Sequence, residues 1–167
     1  IFLQCYFDDN DTQKSLENLI ESKEYNFSRY NFFLINYLLS KNRINEAETI
    51  ITKSRKEHNS NLLLRQTEVL FFSKKITKIK NFFDCKNPKD SIAEFFYVIA
   101  NIYSSEKKYR LANFYLKISL FLNNRFLTNK ALLAENFYFQ KKYKLAKNTF
   151  NSLKSIGSTY DWHASKN

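Results

Sequence analysis

Apolar residues recur along the chain with the spacing of amphipathic helices, and one short apolar pattern occurs several times. The clearest two segments carry a tyrosine, an alanine and a large apolar residue at i, i+3 and i+7. The two copies are Tyr109-Ala112-Leu116 and Tyr143-Ala146-Phe150. Side chains at these spacings share one face of a helix, so each segment predicts a helix with a single apolar stripe.

Weaker copies upstream extend the same register through the chain. The middle position of the pattern holds Ser15, Ala47, Ile79, Ala112 and Ala146, which are nearly evenly spaced. Each position predicts the second helix of a two-helix unit, with a small residue that allows close approach of backbones in most copies. The first helices are predicted over residues 28–40, 61–73, 92–105 and 126–139, and residues 1–8 resemble the remnant of another.

A repeated helical hairpin predicts an all-α fold in which each unit buries its stripe against the next. We therefore expect one repeat domain over residues 1–167. Its predicted units are 1–27 (partial), 28–59, 60–92, 93–126 and 127–160, with 161–167 beginning a further helix.

At one junction, Ser91 and Glu94 have the spacing of a capping box, and Pro88 lies just upstream. This predicts a helix that begins after Ser91.

Composition supports helices and a packed core. The 167 residues are 44% hydrophobic with one glycine and one proline, which disfavours hairpin turns of β-sheets and glycine-rich loops. No stretch approaches the roughly 18 apolar residues that span a bilayer. The chain has no Met and is rich in Lys, Asn, Ile, Phe and Tyr, so we interpret it as a piece of a longer protein from an A/T-rich genome. Its compartment stays open, with the cytoplasm slightly favoured.

Candidate chemistry is sparse. Cys5 and Cys85 lie far apart without CxxC spacing, so we expect two small buried hydrophobes and neither a zinc site nor a disulfide. His58 and His163 have no partner at a catalytic spacing, and motifs of metalloproteases, serine hydrolases and P-loops do not occur. The sequence therefore predicts a non-enzyme without catalytic residues, metal or cofactor.

The repeated columns resemble the tetratricopeptide repeat, a helical hairpin of about 34 residues. Residues 93–126 fit the family pattern best, residues 127–160 nearly as well, and residues 60–92 least, with Gln66 and Thr67 at a Leu-small pair of positions. The matching residues in 93–126 are Phe96, Ile99, Ala100, Tyr103, Tyr109, Ala112, Leu116 and Ser119. The resemblance implies a right-handed α-α superhelix with a concave surface lined by first helices. It has little bearing on function, because the matching positions are packing positions.

The resemblance implies that certain positions of the first helices face the concave groove, where we expect them to bind a peptide or helix of a partner protein. These are Arg29, Phe32, Phe33, Asn36, Leu39, Asn61, Leu64, Arg65, Glu68, Phe71, Glu94, Tyr97, Asn101, Thr128, Leu132, Glu135 and Tyr138. Aromatic and arginine side chains suit interfaces. The alternative for Phe33, Leu39, Phe71 and Tyr138 is that they complete the packing between repeats, because large apolar residues are usually buried.

Chaperone-binding members of this family grip a terminal carboxylate with Lys and Asn at the second and sixth positions of successive first helices. The corresponding pairs here are Arg29/Phe33, Asn61/Arg65, Glu94/Val98 and Thr128/Leu132. The clamp is absent, so we do not expect a partner with an acidic chaperone tail.

Net charge supplies the competing hypothesis. The chain has 27 Lys and Arg against 16 Asp and Glu, a formal charge of +11, which would suit RNA or another polyanion. Most lysines fall at predicted hairpin turns and outward faces, where solvated surface is the simpler interpretation. Apolar stripes at the two ends of the repeat array would also permit end-to-end self-association.

Overall fold

The computed structural model describes residues 1–22 and 27–161. These residues form α-helices joined by short turns, and they contain no β-strand. The chain divides into two compact units, residues 1–87 and residues 88–167. Within the described part of the chain, no helix combines the length and apolar character required to cross a membrane.

Each unit is built of helices that pack on their neighbours in sequence. The first unit contains α1 (Phe2–Tyr6), α2 (Thr12–Glu21), α3 (Tyr30–Ser40), α4 (Ile44–Glu57), α5 (Leu62–Phe72) and α6 (Ile76–Phe82). The second contains α7 (Pro88–Ser105), α8 (Tyr109–Leu122), a short 3-10 helix (Leu127–Asn129), α9 (Lys130–Phe139) and α10 (Tyr143–Leu153). Residues 158–161 are also helical, and residues 162–167, where most of the predicted further helix falls, lie outside the described residues.

The predicted second helices begin where the sequence register places them. They are α2, α4, α6, α8 and α10, and their first residues are Thr12, Ile44, Ile76, Tyr109 and Tyr143. Each packs against the helix before it, giving the hairpins α1–α2, α3–α4 and α5–α6 in the first unit and α7–α8 and α9–α10 in the second. The all-helical class is thus confirmed, and consecutive helices pair within each unit.

The turns inside the five hairpins share one unusual backbone conformation. One residue in each turn has a positive φ between 57° and 61°, and these residues are Asp8, Asn42, Lys74, Lys107 and Lys141. The next amide donates to the carbonyl five residues back, as from Arg43 to Leu38 and from Lys142 to Phe137, both at 2.9 Å. This is the Schellman ending of a helix. The hairpins therefore repeat in backbone geometry as well as in sequence.

The small residues predicted on the second helices lie mostly at close helix contacts. Ala47, Ala112 and Ala146 are at most 3% exposed, and Ile79, which takes the same position on α6, is fully buried. Ser15 is only half-buried, and its neighbours Thr12 and Leu16 take the buried positions of α2. This column therefore identifies core contacts in four of the hairpins, whereas α2 packs through different residues.

The weakest repeat has two polar residues in its core, and one of them is satisfied by a local hydrogen bond. Gln66 and Thr67 are 1% and 0% exposed. The Thr67 hydroxyl donates to the carbonyl of Leu63 at 2.8 Å, so its polar group is satisfied within α5 and its methyl group is available for packing.

The predicted capping box is wrong. Helix α7 begins at Pro88, which occupies the first helical position, where a missing N–H costs no hydrogen bond. Ser91 therefore lies inside the helix. Its buried hydroxyl has no hydrogen-bond partner among the described residues, in contrast to the N-cap role expected from the sequence.

Helix α3 is the centre of the first unit. Eight of its eleven residues are buried, because α2, α4, α5 and α6 all pack on it and the Phe2 ring of α1 lies 5.0 Å from that of Phe33. A helix hydrophobic on all sides is buried on all sides. Hence α3 does not present the open face that a first helix of a simple curved stack would show.

A disulfide between Cys5 and Cys85 closes the first unit, with the two Cα atoms 5.9 Å apart. The expectation of two unpaired buried cysteines is therefore wrong. The bond joins α1 to the segment that follows α6, and spacing in sequence gave no signal because the two residues are 80 positions apart. Disulfides persist in oxidising compartments and are rare in the cytosol, so this bond favours an oxidising compartment over the cytoplasm.

An ion-pair cluster reinforces this junction. The Asp8 carboxylate accepts from Lys86 and Lys41, with N–O distances of 2.5 and 2.9 Å, and Lys86 also donates to the Tyr6 carbonyl at 2.8 Å. The hydrogen bond from Lys86, then that from Lys41, lowers the pKa of Asp8 to about 2. We call Cys5, Cys85, Asp8, Lys41 and Lys86 the clasp.

Candidate functional site

The chain covers its own predicted groove residues on α3. Phe32, Phe33 and Asn36 are 0%, 2% and 6% exposed. The Phe33 ring lies 4.8 Å from that of Phe83, and the Asn36 amide donates to the carbonyl of Ile79 at 3.1 Å. Because α6 and the residue after it occupy these positions, Phe32, Phe33 and Asn36 belong to the core and are not available to a partner.

The packing alternative applies to most of the residues for which it was raised. Phe33, Leu39 and Phe71 are at most 8% exposed, whereas Tyr138 is 51% exposed. Leu64 and Thr128 are buried as well. Tyr138 alone among the four ambiguous aromatic and aliphatic positions is therefore accessible.

Other predicted residues of the first unit make local contacts. The Arg29 guanidinium lies 5.7 Å from the centre of the Phe33 ring, and Arg65 is half-buried. Asn61 is the N-cap of α5, where its side-chain oxygen accepts from two backbone amides at 3.1 and 3.3 Å. Glu68 pairs with Arg55 at 2.7 Å. Asn61 and Glu68 thus have structural roles that sequence position did not reveal.

The second unit keeps predicted groove residues at its surface. Asn101 on α7 and Tyr138 on α9 are exposed, and Tyr97 and Glu135 on the same helices are half-buried. Glu94, by contrast, is 1% exposed and is a core residue. The two helices are joined by the Ser104 hydroxyl, which donates to the Asn136 side-chain oxygen at 2.6 Å, and Tyr97 and Leu132 pack on the same buried cluster. The two predicted groove residues that are exposed, Asn101 and Tyr138, therefore belong to the second unit. Together with Tyr97 and Glu135 they define what we call the α7–α9 surface.

Burial raises the pKa of the Glu135 carboxyl above its ordinary value. The folded protein then holds this proton more tightly than the unfolded chain does, so the free energy of unfolding is highest below the ordinary pKa and falls as pH rises through the folded-state pKa. We expect Glu135→Gln to raise the melting temperature near pH 7 and to have little effect near roughly pH 3.5, where most of the unfolded carboxyl is protonated too. Thermal melts at both pH values check this, with the exposed Glu48→Gln as the control. An equal shift at both pH values would contradict it.

Sequence reasoning overlooked a cluster at two turns of the second unit. The Tyr109 and Phe139 rings stack with centroids 5.6 Å apart and planes at 16°, although the two residues belong to different hairpins. Lys107 and Lys108 of one turn and Lys142 of the other line a cleft together with Tyr109. The lysine pairs are visible in the sequence, but only the hairpin packing shows that the two turns meet.

The described residues include no group of three His, Cys, Asp or Glu side chains placed to hold a metal ion. Comparison of the chain with protein-family models, with curated proteins and with solved structures found no match.

Proposed function

We propose that this chain is a non-catalytic protein-binding module of the tetratricopeptide-repeat type, which holds a peptide or helix of a partner protein on the α7–α9 surface. The right-handed superhelical arrangement belongs to the same proposal. Its support is the set of equivalent hairpins, whose second helices start at the nearly even positions Thr12, Ile44, Ile76, Tyr109 and Tyr143. Repeats of this length present their first helices as a binding face in solenoid proteins.

The observation that carries the proposal is the exposure of Tyr138. In the family register, Leu39 and Phe71 occupy the equivalent position of the first unit and are 0% and 8% exposed, whereas Tyr138 is 51% exposed. A solvent-accessible tyrosine and an exposed amide such as that of Asn101 supply apolar area and directed hydrogen bonds, the combination enriched where proteins bind one another. Phe95 and Ile102 add exposed apolar area on α7, at 61% and 53%.

A pull-down from nuclease-treated extract of the source cells tests this function. We expect the wild-type chain to retain one or more proteins that the double variant Asn101→Ala, Tyr138→Ala loses. The matched control is Phe121→Ala, which removes an aromatic side chain that is 85% exposed on α8. Both variants should melt within a few degrees of wild type, because each removes exposed side chains.

Equal recovery by the wild type and the double variant would contradict the α7–α9 surface as the binding site. Light scattering on the same samples separates partner binding from end-to-end self-association, since exposed apolar side chains favour both. If only a second copy of the chain is retained, the surface serves assembly of this protein and the proposal of a different partner fails.

A further inference from the structure

We propose that the cleft between the two hairpin turns of residues 88–167 binds single-stranded nucleic acid. The cleft has a volume of about 500 Å³. Its lining residues are Lys107, Lys108, Tyr109, Arg110, Leu111, Gln140 and Lys142. This inference is independent of protein binding on the α7–α9 surface, because the cleft lies at the ends of the hairpins and is built by their turns.

The cleft is strongly electropositive. Six exposed cationic side chains belong to the two turns and the helix starts that follow them, namely Lys107, Lys108, Arg110, Lys141, Lys142 and Lys144. Among residues 106–110 and 140–144 the single acid is Glu106, which pairs with Lys108 at 2.7 Å. The other five cations concentrate positive charge at one place on the second unit, a suitable contact for a chain of phosphates.

Two helix N-termini add to this potential. Helices α8 and α10 begin at the cleft with Lys108 and Lys142 as N-caps, no side-chain cap and no acid in the first turn. The partial positive charge of a helix N-terminus ordinarily attracts acids and is relieved by anions. The equivalent start of α4 has Glu46 in its first turn, paired with Arg43. Helices α2 and α6 also lack an acid in the first turn, so this absence adds positive potential at the cleft without being peculiar to it.

Aromatic rings beside the cations favour nucleic acid over other polyanions. Phe139 and Tyr143 are 60% and 58% exposed, and the stacked Tyr109 and Phe139 rings are nearly parallel. Rings interleaved with cations bind unpaired bases by stacking while the cations contact the backbone. A purely acidic peptide such as polyglutamate has no flat or apolar group to place on the rings. Stacking requires bases outside a duplex, so the ligand is single-stranded.

Fluorescence anisotropy with labelled 12-nucleotide oligouridine and oligothymidine tests the proposal on the whole chain. With about five phosphate contacts and a slope near −0.7 per contact, affinity should fall about 100-fold between 50 and 200 mM salt. Lys107→Gln with Lys142→Gln should weaken binding and reduce that slope. Phe139→Ala should weaken binding about tenfold and leave the slope unchanged, because it removes stacking without removing charge.

The matched control is Lys53→Gln with Lys56→Gln on α4. These lysines line a cleft of about 540 Å³ without an aromatic ring, so the double variant removes the same charge elsewhere and should bind like wild type. Three results would overturn the proposal: no binding at 50 mM salt, equal loss in the control, or unchanged affinity in a folded Phe139→Ala variant. Polyglutamate or phosphatidylserine vesicles that bind as tightly as the oligonucleotides would also overturn it, in favour of a general anion surface.

Discussion

Replacing Cys5 and Cys85 with serine should lower the free energy of unfolding of residues 1–87 by about 4 kcal/mol. The bond links residues 80 positions apart, and a cross-link that closes a loop of this length removes a large share of the unfolded chain's conformational freedom. Urea titrations followed by hydrogen exchange measure the change in each unit separately, with peptides from residues 88–167 as the internal control.

Reductant provides the check on this prediction. Dithiothreitol should reduce the stability of wild type to that of the double serine variant and leave the variant unchanged. An intact mass two units higher after reduction would verify the bond itself. If oxidised and reduced wild type unfold at the same urea concentration, the disulfide does not contribute to the stability of the first unit and the prediction fails.

Phe33→Ala should destabilise the first unit by about 3–5 kcal/mol, the usual loss for a buried phenylalanine. The side chain is 2% exposed, and its ring meets those of Phe2 and Phe83 at 5.0 and 4.8 Å. Truncation would leave a cavity where α1, α3 and the segment after α6 converge. Denaturation midpoints at constant m-value report the loss.

Phe72→Ala is the control for Phe33→Ala, because Phe72 is 56% exposed on the neighbouring α5. It should cost about 1 kcal/mol or less, as expected of a surface substitution. The contrast also distinguishes two roles for α3. Were Phe33 a groove residue open to a partner, its removal would alter binding and leave stability almost unchanged.

Local patterns predicted the helices well because the determinants lie within one or two turns of the chain. The starts of α8 and α10 at Tyr109 and Tyr143 follow from apolar spacing alone. The alanine positions were also correct, since Ala112 and Ala146 have little room for anything but a helix contact. The predicted helix start at Ser91 was wrong. A serine followed by a glutamate three residues later is a local N-cap signal, but the helix already begins at Pro88.

Features that depend on contacts between distant parts of the chain could not be predicted from local sequence patterns. Spacing cannot show that Cys5 and Cys85 meet, because α1 and the segment after α6 are brought together on α3, where the Phe2 and Phe83 rings both contact Phe33. Nor can it show that Asn36 is bonded to Ile79 instead of facing a groove. The repeat register assigns groove-facing positions on the assumption that the first helices have one open face. Helix α3 has no such face, because its neighbours enclose it.

The same limit applies to the cluster of aromatic and lysine residues at the two hairpin turns of the second unit. Lys108 and Lys142 occupy equivalent turns, and the sequence by itself favours ordinary solvated surface for each of them. They line one cleft with Tyr109 because the turns of the α7–α8 and α9–α10 hairpins lie side by side. Charge density that is modest along the sequence becomes high where repeats are stacked.

The bond between Cys5 and Cys85 makes the intervening backbone a covalent ring. A protease that cuts once inside this ring would leave both fragments attached, so the nicked protein would migrate as a single species on a gel without reductant and as two species with it. Limited proteolysis analysed on gels with and without reductant would then map cleavage within residues 6–84, because the oxidised protein loses no fragment.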